Sequence, residues 1–76
     1  MTNNVQLQGI GTFPGVPAGT LKKGDIIVWN FGYKSEVLEV LKVTKAQIKL
    51  LMKSLDSDYV GERILGKNRL IVKEEV

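Results

Sequence analysis

The run Leu21-Lys22-Lys23-Gly24-Asp25-Ile26-Ile27-Val28-Trp29-Asn30-Phe31-Gly32-Tyr33 constrains the fold of this chain more than any other segment. Lys23-Gly24-Asp25 sets a glycine, for which positive φ is cheap, beside an aspartate able to bond its own local backbone. A turn should therefore feed straight into a strand over Ile26 to Phe31. Strand alternation places Trp29, Phe31 and Tyr33 on one face and Ile26 and Val28 on the other. Both faces are then apolar, and only one of them can line an interior. The second needs a cover: the N-terminal residues around Phe13 and Val16, a neighbouring subunit, or a partner held by the aromatics, since exposed aromatic clusters are uncommon on monomers.

The rest of the chain supplies further short strands. Residues 1–20 carry four of the eight glycines (Gly9, Gly11, Gly15, Gly19) and both prolines, Pro14 and Pro17. These interrupt regular pairing and read as an arm with one short strand at Val5 to Leu7. After a second turn at Gly32 to Ser35, the segment Glu36 to Thr44 is ambiguous. Val37, Leu38, Val40 and Leu41 also fit one helical face, while β-branched Val37, Val40, Val43 and Thr44 favour a strand. Gln47 to Lys53 alternates more cleanly, with Ile48, Leu50 and Met52 opposite Gln47, Lys49 and Lys53 and only Leu51 breaking the pattern. Asp56-Ser57-Asp58 reads as a polar turn, Val60 to Leu65 as a fourth strand, Gly66-Lys67-Asn68-Arg69 as a single 3₁₀ turn, and Leu70 to Lys73 as the last strand.

Five short strands with tight connections predict an all-β fold, a small five-stranded SH3-like barrel with a Gly/Pro-rich N-terminal arm. An OB-fold is the next architecture, and a helix within residues 35–55 is the rival to both. The division is a flexible or wrapping arm over residues 1–19 and a barrel over residues 20–76, with the folded unit running from about Val16 to Lys73. Leu21, Ile26, Val28, Val40, Ile48, Leu50, Ile64, Leu70 and Val72 form the expected core.

Composition narrows the chemistry. At 76 residues the chain has room for one small core and little for a deep cleft. It contains no cysteine and no histidine, which removes disulfides, the usual general base, the usual nucleophile pair and the best transition-metal ligands. No catalytic residue, cofactor or metal site is expected. The lack of cysteine, of a secretory leader and of an apolar run of about 20 residues fits a cytoplasmic protein with no membrane association. Glu36 with Glu39 and Asp56 with Asp58 are the carboxylate pairs closest in sequence, but the first falls on opposite strand faces and the second in a turn. Both read as solvated. Gly9-Ile10-Gly11-Thr12-Phe13-Pro14-Gly15 has the look of a phosphate-binding loop, yet its third glycine is misplaced and Pro14 removes a backbone donor.

Together with Arg63-Ile64-Leu65-Gly66-Lys67-Asn68-Arg69-Leu70-Ile71-Val72, the opening run resembles small uncharacterised proteins encoded by phages, prophages and mobile elements of Gram-positive bacteria. The resemblance covers roughly residues 20–73, and Trp29-Asn30-Phe31-Gly32-Tyr33 is its most specific part. It implies a source and a barrel, and carries over no functional residues. The chain also shares its size, arm and barrel reading with the plasmid-borne dihydrofolate reductases that build one active site from four SH3-like subunits. No segment matches their ligand-binding strand, so that comparison rests on the fold alone.

Three functions follow from these residues. The first is a non-enzymatic interaction module that binds a protein partner through Trp29, Phe31 and Tyr33. The second is sequence-tolerant nucleic-acid binding, with Lys49, Lys53, Arg63 and Arg69 as a basic stripe beside the aromatics. Residues 34–73 hold nine basic side chains against five acidic ones, within a net charge of +3, an excess that also serves to keep sheet edges from aggregating. The third is a small enzyme active only as a homo-oligomer.

Overall fold

The structure, a computed structural model, describes residues 4–74. Eight strands form two antiparallel sheets, and no α-helix occurs among the described residues. Strands β1 (Asn4–Leu7) and β2 (Gly11–Pro14) make a separate hairpin. Strands β3 (Val16–Pro17), β4 (Ile26–Val28), β5 (Lys34–Val43), β6 (Gln47–Ser54), β7 (Val60–Gly66) and β8 (Leu70–Glu74) make a six-stranded sheet in the order β3-β8-β4-β5-β6-β7. Single 3₁₀ turns lie at Ala18–Thr20 and Asn30–Gly32.

The all-β expectation holds, and the closed five-stranded barrel does not. Strands β3 and β7 remain edges, with no ladder joining them among the described residues. Proline explains the short β3, because neither Pro14 nor Pro17 has an N–H with which to extend a ladder. The turn at Ala18–Thr20 sits where that ladder would run. Ala18 N–H donates to Arg69 O at 2.8 Å and Gly19 N–H to Lys67 O at 3.0 Å. Residues 16–18 thus belong to the main sheet and its core, and Ala18 is fully buried.

The ambiguous segment is a strand, and its helix-like pattern has a cause. Along β5, Val37 faces Met52, Val40 faces Leu50 and Val43 faces Ile48, with register shifts between Val37 and Glu39 and between Val40 and Lys42. Each bulge inserts one residue, so positions that face the same way recur every three residues instead of every two. A three-residue repeat of valines is what a helical face would also produce.

The core comprises Ala18, Leu21, Ile27, Val37, Ile48, Leu50, Met52, Leu65 and Ile71, with Val16, Trp29 and Val40 packed at its margin. Leu21, Ile48 and Leu50 are where the sequence places them. In β4, however, Ile27 is the inward residue rather than Ile26 or Val28; in β7 it is Leu65, while Ile64 is 56% exposed. Leu70 is half-buried, and Val72 is buried outside the main core. The runs Ile26-Ile27-Val28 and Leu70-Ile71-Val72 are apolar on both faces, so alternation alone gives no phase. The phase comes from the hairpin β1–β2, which lies over the outer side of β4 and β8 with Val5, Leu7, Val28 and Val72 around one hollow.

Two turns behave differently from each other. Gly24 adopts φ +94°, and Asp25 Oδ2 accepts the Lys22 N–H at 3.0 Å, so the turn before β4 forms as its residues predict. Between β7 and β8 the expected 3₁₀ turn is an ordinary hairpin turn, closed by Arg69 N–H donating to Gly66 O at 3.1 Å.

Candidate binding site at the Trp29 corner

Strand β4 stops at Val28, three residues before the expected end. Trp29 N–H donates to Tyr33 O at 2.7 Å, so these two residues face each other across the base of a hairpin whose loop is Asn30-Phe31-Gly32. The loop reverses through two left-handed residues, Phe31 at φ +63° and Gly32 at φ +82°. Gly32 takes its positive φ without cost and Asn30 is a favoured turn residue, so their turn preference overrides the aromatic alternation and leaves Phe31 in the strained position. The three aromatics therefore do not share a strand face. Trp29 and Tyr33 are opposed at the hairpin base, on the same side as Ile27, and Phe31 stands at the loop tip.

The N-terminal hairpin holds this loop in place. Phe31 N–H donates to Gln8 O at 2.6 Å, and Asn30 Oδ1 accepts the Gln8 N–H at 2.9 Å. Gly9 lies beneath the Phe31 ring, where an added Cβ would come within 2.8 Å of Phe31 Cδ1. In spite of this clasp Phe31 is 64% exposed and Tyr33 57% exposed. Trp29 is half-buried against the core, and its indole N–H donates to Ser35 Oγ at 3.0 Å.

Two guanidiniums gather on the same indole. The Arg63 Cζ lies 4.5 Å from the Trp29 ring centroid and the Arg69 Cζ 5.9 Å from it, both within cation–π range. Arg63 reaches the ring because it shares the face of β7 with inward-facing Leu65, and Arg69 because it enters β8 beside the corner. Among the described residues neither arginine has a carboxylate within 4 Å, and both are exposed.

The lysines proposed for the same stripe lie elsewhere. Register places Lys49 across from Ile64 and Lys53 across from Val60, on the side of β6 and β7 opposite Arg63. Lys49 Nζ is 2.8 Å from Glu62 and Lys53 Nζ 3.7 Å from Asp58, so their charge is locally answered. The single basic stripe is thus two separate groups. Trp29, Tyr33, Arg63 and Arg69 come together, and Lys49 and Lys53 do not join them.

Sequence reading missed Gln8, Asn30 and Ser35 as supports of the corner. The available signal was Asn30-Phe31-Gly32 itself: a turn centred there, rather than at Gly32 to Ser35, sets Trp29 opposite Tyr33 and brings Ser35 within reach. Tyr59, 70% exposed, was also missed; its ring lies against Gly61 beside a hollow shared by Ser35 and Arg63. No protein-family model, curated protein or solved structure matches this chain.

Proposed function

We propose that this chain is a non-enzymatic interaction module, an open variant of the SH3-like barrel encoded by a phage or mobile element, which binds a protein partner at the Trp29 corner. Consecutive pairing of β4 through β7, with β8 returning beside β4, supports the SH3-like reading. One observation carries the functional reading. Phe31 holds a left-handed backbone conformation, costing a bulky residue about 1 kcal/mol or more, and yet leaves most of its ring in water. Glycine would fit that position better, so stability does not account for the ring. A contact surface does, because aromatics held rigidly at a loop tip are effective interface anchors.

The test is capture from a nuclease-treated lysate by immobilised protein, run beside the double variant Phe31→Ser/Tyr33→Ser after both have been matched for melting temperature. Proteins retained by the natural chain and released by the variant support the reading. Equal retention overturns it.

Arg63 and Arg69, which have no carboxylate within 4 Å among the described residues, favour nucleic acid as the second reading. Two phosphate contacts on a single strand predict a log–log salt slope near about −1.4, roughly half of what all four proposed basic residues would give. Titration with a labelled oligothymidylate at two salt concentrations measures that slope, and binding that ignores salt removes the reading.

A further inference from the structure

Resting on the protein-binding reading of the corner, we infer that the partner presents an acidic, extended segment whose carboxylates are received by Arg63 and Arg69. Among the described residues four lysines are answered by a carboxylate, and of the basic residues that are not, Arg63 and Arg69 stand apart because they share one aromatic ring. Lys34 is 2.8 Å from Glu74, Lys49 is 2.8 Å from Glu62, Lys53 is 3.7 Å from Asp58 and Lys73 is 3.8 Å from Asp25. Arg63 and Arg69 have no such partner among the described residues, and both sit on one indole.

A cation–π contact leaves the N–H donors of a guanidinium without a hydrogen-bond acceptor, and those donors meet a carboxylate in paired hydrogen bonds. It also holds two long side chains in place before binding, which lowers the conformational entropy lost when an anion arrives. Both Cζ atoms lie within 5.9 Å of one ring centroid, so carboxylates on alternate residues of an extended segment, about 7 Å apart, fall within reach of both arginines. The exposed Phe31 and Tyr33 rings then offer apolar contact to the residues between or beyond the acids.

A nucleic-acid backbone fits less well. The lysines that would lengthen the basic track face the other side of the sheet and are paired there with Glu62 and Asp58. A polyanion following the strand past Arg63 finds no further cation among the described residues on that face of β6 and β7.

Trp29 is the only tryptophan in the chain, so its emission reports on the site directly. The intact protein is titrated with a ten-residue peptide alternating Glu and Leu, with the matching Gln/Leu peptide, and with a ten-nucleotide oligothymidylate. Saturable change with the Glu peptide, absent with the Gln peptide and weakened about tenfold by Arg69→Gln, is the expected result; that factor reflects one charge-assisted pair. Arg63→Lys, which keeps the charge and loses the fork, should weaken it as well.

Equal response to both peptides, tighter binding of the oligothymidylate, or no response to the Glu peptide at millimolar concentration each overturns the inference. Arg69→Gln must keep its melting temperature; should it not, Arg63→Lys decides alone. The protein-binding reading is judged separately: if the Glu peptide fails while lysate capture still depends on Phe31 and Tyr33, only the acidic chemistry falls.

Discussion

Strand β6 and the corner at residues 29–33 start from equally regular alternation and end in opposite conditions. In β6, Ile48, Leu50 and Met52 all face the core, and outward Lys49 and Lys53 each find a carboxylate. At the corner the chain leaves the ladder, adopts two positive φ values and displays two aromatic rings. The difference lies in what flanks the apolar residues. Polar Gln47, Lys49 and Lys53 around the apolar residues of β6 give it one inward face in spite of Leu51, whereas Asn30 and Gly32 between the aromatics favour a reversal. Stability should concentrate in the first region and binding in the second.

The largest effect should come from Leu50→Ala. Leu50 is fully buried at the centre of the ladder, so its truncation should cost about 3 kcal/mol, read by urea unfolding. Trp29→Ala should cost less, about 2 kcal/mol, because the ring is only half-buried and its remaining contacts are an indole hydrogen bond and stacked arginines. A loss equal to that of Leu50→Ala would make the corner part of the core and erase the contrast.

Phe31→Gly sharpens the comparison by its sign. Relief of the left-handed strain, offset in part by the greater freedom of glycine in the unfolded chain, should raise stability by up to about 1 kcal/mol while weakening partner capture. A drop in the unfolding midpoint would show that the ring's contact with Gly9 outweighs the strain. Smallest of all is the pair on the outer side of β6: a double-mutant cycle on Lys49 and Glu62 should give under about 0.5 kcal/mol, since both side chains are substantially exposed. A larger coupling would mean that outer charge pairing contributes to holding β7 in place.

Much of the fold was legible in local residues. The turn at Lys23-Gly24-Asp25 and the strands over 47–53 and 60–65 all follow from neighbours in sequence, whereas the pairing of Lys49 with Glu62 needed the register of β6 and β7. The candidate site was legible only in part: Trp29, Tyr33, Arg63 and Arg69 were each singled out, but for a strand face and a stripe that do not form. Arg63 could be placed only once the phase of β7 was known, and that phase depends on Leu65 rather than Ile64 entering the core.

By itself the sequence favoured the class of the fold, because β-branched residues, short apolar runs and closely spaced turn residues suit strands, with a helix open only within residues 35–55. It also determined that the strand starting at Ile26 is apolar on both faces and would need covering on the side away from the core. Tertiary structure decided which side became the interior, for a run that is apolar at every position carries no phase until something packs against it. The hairpin over residues 4–14 made that choice here, and with it brought the indole to the rim where two arginines from distant strands could meet it.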